Sequence, residues 1–294
     1  MISIGFGADP LRLFAIGRHR AYAATENERE KAMLELYHNT NSVCAQKVRI
    51  ALAEKGTKFT EHLLALNGDQ NDPAYMKLNP NGVVPTLVHD GNVICESSLI
   101  LYYIDEAFPN PPLMPTTPVA RHRVRLYNKL IDEYMHNACT IMTFATAFRP
   151  RFLKMTKDAW LAEINKAPLK RRVEYKRSVI EHGLESEFVI DALHQHQKMI
   201  SWMAEDLNKG PYLAGDAFSN ADCAVIPYIL RLELLKLGGM WQKEPKIVDW
   251  WARVRERPSV KSTIFDRMQE SDWAPFKNLA PDPWPKVQEL LKAA

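Results

Sequence analysis

The sequence has few cysteines, and none of them pair by spacing. Cys44, Cys95, Cys139 and Cys223 are the only four in 294 residues, and no C-x-x-C occurs. That excludes a zinc ribbon and a dithiol redox motif, and it fits a reducing, cytoplasmic setting better than a disulfide-stapled one. Long apolar runs are missing as well: none approaches the roughly 18 residues needed to cross a bilayer. Charge of one sign is scarce, since 38 Lys and Arg against 35 Asp and Glu leave a net +3. No stripe of cations interleaved with aromatics occurs, so neither nucleic acid nor membrane is expected as a partner. Lys170-Arg171-Arg172 reads as a solvated helix face. His194-x-His196 is the closest approach to a metal motif, but residues i and i+2 do not share a helix face, and no metal is expected.

Acids are nearly absent from the start of the chain. Before Glu26 only Asp9 is acidic, beside Arg12, Arg18 and Arg20, a composition faintly like a transit peptide. Met33 stands immediately before the first strand-like run, so residues 1–32 are read as a flexible extension outside the fold. The length suggests two domains, and a 46% hydrophobic, 25% charged composition is that of a globular protein.

Regular structure follows in a clear order. Leu34–Tyr37 alternates as a strand. Val43–Lys55 reads as a helix stopped by Gly56, and Phe59–Leu64 as a second strand. Pro73–Leu78 is a short helix with proline in its first turn. Thr86–His89 and Val93–Cys95 form a hairpin across Asp90-Gly91, and a helix runs from Leu99 to Phe108. The first β-α-β unit implies parallel pairing. Pro111-Pro112, Pro115 and Pro118 make a stiff linker. Long amphipathic segments follow at 120–148, 184–207, 221–237 and 246–256. The chain is thus an α/β domain over 33–112 followed by an all-α domain over 119–294.

Three motifs in this order resemble the cytosolic-type glutathione S-transferases: S-V-C-A-Q-K-V-R-I-A-L-A-E-K-G (42–56), L-N-P-N-G-V-V-P-T-L with E-S-S (78–98), and F-S-N-A-D (218–222). The resemblance covers residues 34 to about 265. It implies a thioredoxin-like first domain, glutathione as co-substrate, and a two-fold homodimer. It further implies a cis Val84–Pro85 bond that leaves the Val84 main chain at a free sheet edge. A tripeptide pairs there like an added strand. Glu96 and Ser97 match the pair that grips the γ-glutamyl end, Ser97 at a helix start that favours its carboxylate. Gln70 matches a glutamine that touches the glutathione backbone. Ser219 and Asp222 have capping-box spacing and are assigned no chemistry.

The sulfur needs a thiolate, and lowering a thiol from about 8.5 to about 6.5 takes roughly 2.7 kcal/mol. One hydrogen bond with a charged partner supplies about 1.5–3 kcal/mol, so a single hydroxyl at a helix start suffices. Ser42 stands there and matches the catalytic serine of serine-type members, although its position also fits a plain N-cap. Cys44 is the alternative, at the place of the beta-class cysteine, with a half-buried packing thiol as its plainer role. Tyr37 fits the spacing less well. For a hydrophobic, aromatic electrophile, helix 121–148 offers Tyr134, Met135, Ala138 and Met142. L-I-D-E-Y (130–134) and the insert to Glu187 resemble the β-aryl-etherases, with Phe152, Trp160 and Tyr175 available for stacking and Arg171 or Arg172 for a phenolate. Conjugation or β-aryl ether cleavage is therefore expected. A zeta-like glutathione-dependent isomerase and a non-catalytic glutathione-binding protein are the alternatives.

Overall fold

The computed structural model describes residues 33–293, so the extension expected over residues 1–32 lies outside the described residues. β1 (Leu34–His38) buries every second residue, and α1 (Val43–Glu54) follows it. β2 (Thr60–Leu63) returns parallel to β1, as the β-α-β order requires. Past α2 (Pro73–Leu78), β3 (Thr86–His89) and β4 (Asn92–Ile94) complete a sheet of order β2-β1-β3-β4, with β3 antiparallel to both its neighbours. The β3–β4 turn has φ of 50° at Asp90 and 78° at Gly91, the two positive angles a type I′ hairpin requires. α3 (Ser97–Ala107) and α1 share one face of the sheet, packing with Leu34 and Leu36. On the other face Tyr37 stacks on its register partner His62, with ring centroids 4.2 Å apart.

Beyond Pro118 the described residues form helices, with no strand other than an isolated Tyr212–Gly215 bridge. The segment expected as one helix over 120–148 is α4 (Pro118–Leu130), a π turn over Ile131–Met135, and α5 (His136–Ala145). The insert folds as α6 (Arg149–Leu153), α7 (Lys157–Asn165) and α8 (Lys170–His182). α9 (Phe188–Leu207), α10 (Asn220–Leu234) and α11 (Pro245–Arg255) lie within four residues of their expected bounds. α12 (Glu270–Lys277) and α13 (Trp284–Ala293) had no sequence expectation.

α1 is buried at every position from Ala45 to Leu52, because α3 and α10 both pack against it. The start of α10 is anchored by its capping box. Asp222, fully buried, accepts from the Ser219 N–H at 3.0 Å, the Leu213 N–H at 3.2 Å and Trp250 Nε1 at 2.9 Å. Asn220 adds hydrogen bonds to Leu113 and Leu101, so α10 is fixed to both the linker and α3. One core results, running from Leu36 through α1 to Tyr228 and Trp250.

Candidate active site

Ser42 closes the loop after β1 and caps α1. Its backbone is extended (φ −72°, ψ 117°), and its Oγ accepts from the Ala45 N–H at 3.3 Å. A hydroxyl that accepts still has its own hydrogen to donate, and Ser42 is only half-buried. A donor at a helix N-terminus suits an anion.

Two residues on, Cys44 Sγ lies 3.3 Å from His136 Nδ1 and 3.9 Å from the Tyr228 hydroxyl. Burial pushes this thiol up. The charge and hydrogen bond of His136, the Lys47 charge and a hydrogen bond from Ser97 outweigh that and bring it down to about 6. A thiol lowered in this way is shifted toward the thiolate, the reactive form. Cys44 is half-buried and faces His136.

α1 and α3 pack together, and Ser97 is among the groups that hold the Cys44 thiol down, so the first turns of the two helices meet. Ser97 opens α3 and is 8% exposed. Behind it the fully buried Lys47 donates to Ser98 Oγ at 2.8 Å, and Ser98 donates to Asp132 Oδ1 at 2.7 Å. Two helix N-termini and a buried ammonium therefore face one spot, a field that favours negative charge. Lys47 and His136 were missed in the sequence. The polar residues of α1 are scattered around the helix rather than gathered on one face, and that pattern was the available sign that Lys47 is enclosed.

The Val84–Pro85 bond is cis, but the expected sheet edge is corrected. β3 is an interior strand, and its neighbours end before reaching Val84, β1 at the Tyr37–Thr86 pair and β4 at the Leu87–Ile94 pair. Among the described residues neither the N–H nor the C=O of Val84 has a main-chain partner. The Val83 carbonyl, by contrast, accepts from the Tyr75 hydroxyl at 2.6 Å and Asn79 Nδ2 at 2.9 Å. Gln70 sits in a short turn, Asp69–Asn71, pressed against the same loop at Gly82. There φ is +58°, and a Cβ would stand 2.9 Å from Asn71 Oδ1 and 3.4 Å from the Gln70 carbonyl. Glu96, just before Ser97, is exposed and accepts from Asn81 Nδ2 at 3.3 Å. Its φ of +65° is a strained conformation for a non-glycine residue, of the kind that gathers at functional sites.

Of the electrophile residues, Met135 and Ala138 are buried, 0% and 2% exposed in the core with Met142, and Tyr134, 43% exposed, stands under the Lys198 ammonium at 5.2 Å. The π turn bonds i to i+5, so a stripe counted through it at helical spacing rotates out of line. The half-exposed stripe is instead His136, Thr140, Phe144 and Phe148, and its first member touches Cys44. Phe152 and Trp160 form a small separate core with Ile164 and Ile180, and buried Tyr175 donates to Asn137 Oδ1 at 3.3 Å. They pack the insert and do not line a groove. Arg171 is exposed, and Arg172 stands beside Tyr175.

Cavities of about 360 Å³ (Leu207 to Pro211 with Lys246 and Arg253) and about 310 Å³ (Tyr37, His62, Tyr75) touch neither Ser42 nor Cys44. Among the described residues no three His, Cys, Asp or Glu are grouped to hold a metal, and no helix is long and apolar enough to cross a membrane.

Comparison with known proteins agrees with this fold. Family models described as glutathione S-transferase N-terminal domain and C-terminal domain match residues 41–107 and 145–258. Protein LigF of Sphingobium sp. is 26% identical over 250 residues, 81% of this chain and 95% of that protein. Its crystal structure, described as beta-etherase LigF, superposes with a TM-score of 0.71 over 80% of this chain and all of that one. The glutathione S-transferase TCHQD of Arabidopsis thaliana is 29% identical over 238 residues, 79% of this chain and 89% of that protein. A stringent starvation protein A homolog of Pasteurella multocida is 28% identical over 240 residues, 82% of this chain and 94% of that one.

Proposed function

Because the chain belongs to the glutathione S-transferase superfamily, we propose that it activates the glutathione thiol at Ser42 and directs it at an aromatic electrophile. The observation that carries this reading is the meeting of the first turns of α1 and α3 beside His136 of α5, where His136 foremost, with Lys47 and Ser97, holds the resident Cys44 thiol down to about 6 against the cost of burial. A second sulfur set beside Ser42 lies in the same field and gains the Ser42 hydroxyl as donor. The unpaired N–H and C=O of Val84 dock the cysteinyl backbone, with Gln70 alongside. Ser97 and the first turn of α3 take the γ-glutamyl carboxylate, and Glu96 takes its ammonium.

The stripe from His136 to Phe148 supplies the apolar wall for the electrophile. Similarity to the LigF etherase supports cleavage of a β-aryl ether ketone. The thiolate attacks the carbon next to the ketone, the C–S bond forms, the C–O bond breaks, and the electron pair leaves on the phenolate oxygen, which takes a proton from water. The enzyme works in the cytoplasm as a homodimer, and sedimentation should report about twice 33.7 kDa.

A second reading is favoured by the contact between Cys44 and His136. The Cys44 thiolate attacks one sulfur of glutathione disulfide, forming a mixed disulfide and releasing glutathione thiolate. One experiment separates the two: phenol release from a β-aryl ether ketone with and without glutathione. Ser42→Ala should lower turnover at least tenfold and raise the bound thiol by about one pH unit, a tenfold change in thiolate at fixed pH. Cys44→Ala should leave turnover largely intact. A dead Cys44→Ala with a live Ser42→Ala transfers the chemistry to Cys44.

A further inference from the structure

The loop that delivers Ser42 is held from three sides by groups with no part in the proposed chemistry. Arg231, on α10 and 7% exposed, donates from Nη2 to both the carbonyl and Oδ1 of Asn41 at 2.7 Å. Its Nη1 donates to Thr143 Oγ1 at 3.3 Å, and its guanidinium lies 5.0 Å from the centre of the Phe276 ring. Arg49, 1% exposed, donates to the carbonyls of Asn39 at 3.0 Å and Thr40 at 2.9 Å. Asp272 of α12 accepts from Thr40 Oγ1 at 3.0 Å, and its carbonyl accepts from Asn41 Nδ2 at 3.3 Å.

Arg231 is the member of this set that reaches the loop from the helical domain and grips the residue next to Ser42. Among the described residues no carboxylate forms an ion pair with it. A buried charge without a counter-charge costs stability that an apolar residue of similar size would not. Its Nη2 is spent on two oxygens of one residue, the neighbour of Ser42, while Nη1 is anchored on Thr143, and a planar guanidinium fixes the two nitrogens in direction as well as distance. The peptide that follows the gripped carbonyl is the one that carries Ser42 into its capping conformation.

We infer that Arg231 is a positioning residue for Ser42: by gripping Asn41 from α10 it sets the direction of the Ser42 hydroxyl toward the glutathione sulfur. The inference rests on the reading of Ser42 as the thiolate donor. Lysine cannot replace the arrangement, because a single ammonium nitrogen cannot hold Asn41 as Nη2 does while a second, coplanar nitrogen is anchored on Thr143 Oγ1.

The test is a double-mutant cycle on the full chain. Arg231→Lys and Asn41→Ala, which removes the Oδ1 acceptor, are each made with Ser42 present and with Ser42→Ala. Thiolate absorbance gives the pH midpoint of enzyme-bound glutathione, steady-state kinetics separates kcat from KM, and thermal melting checks the fold. Arg231→Lys should raise the midpoint by about one unit and cut kcat on the order of tenfold, while KM for glutathione moves less than about twofold. In the Ser42→Ala background it should add nothing, since the hydroxyl it aims is gone. Asn41→Ala, in a half-buried loop, should show a smaller shift of the same sign and serves if the buried Arg231 variant folds poorly. An unshifted midpoint in both variants, or an equal loss with and without Ser42, overturns the inference. If Ser42→Ala alone leaves the midpoint unmoved, the Ser42 reading falls and this inference with it.

Discussion

Two helices of this protein begin with a capping serine, and they put it to different uses. Ser219 opens α10 with Asp222 three residues on, so its N–H and its hydroxyl both donate to that carboxylate at 3.0 Å, and it is 1% exposed. Ser42 opens α1 with Ala45 at the corresponding place, so its hydroxyl accepts one bond and has no acid to donate to. The first cap is closed and belongs to folding. The second is open, half-exposed and set where α1 and α3 converge. The third residue of the helix makes the difference: an acid there consumes the hydroxyl hydrogen, and an alanine leaves it for a ligand.

The largest effect expected from breaking this contrast is on the closed cap. Asp222→Ala strands four buried donors at about 1–3 kcal/mol each and should cost roughly 4 kcal/mol or more in urea unfolding. Glutathione binding by the molecules still folded should be unchanged. Next comes the open cap's neighbour. Alkylation of Cys44 should rise through a midpoint near pH 6, because the depressed thiol stays ionised down to that pH. His136→Ala removes the foremost charge holding it down, so the midpoint should climb; a midpoint that stays put refutes the His136 contact as its cause. The smallest effect belongs to an exposed cap with no ligand. Thr117 caps α4 through the Ala120 N–H at 3.3 Å, and Thr117→Ala should cost about 0.5–1 kcal/mol with turnover unaltered.

The stretch from β1 to α3 was legible because its signals are short-range. L-E-L-Y-H alternates, Asp-Gly makes the hairpin, and proline opens α2. The site partners were illegible for the opposite reason. His136 stands 92 residues from Cys44, and Arg231 stands 190 from Asn41. One sequence holds no mark of pairings at such distance. The π turn over I-D-E-Y-M was also invisible, because no residue type in it breaks helical periodicity, yet at its end and past it Met135 and Ala138 are buried while His136 and Thr140 are half-exposed. The aromatics of the insert were legible as apolar, but which neighbour covers them is decided by the packing of α6, α7 and α8 on one another.

The unpaired main-chain groups at Val84 carry a consequence for how this protein changes over generations. An N–H and a C=O belong to every residue except proline, which lacks the first. Side-chain substitution at Val84 therefore cannot erase that contact, whereas a single codon change can replace any of Thr140, Phe144 or Phe148. One wall of the cleft is inherited almost regardless of mutation, and the facing wall is open to drift. Descendants of this chain should diverge first in what the sulfur attacks and last in which thiol they carry.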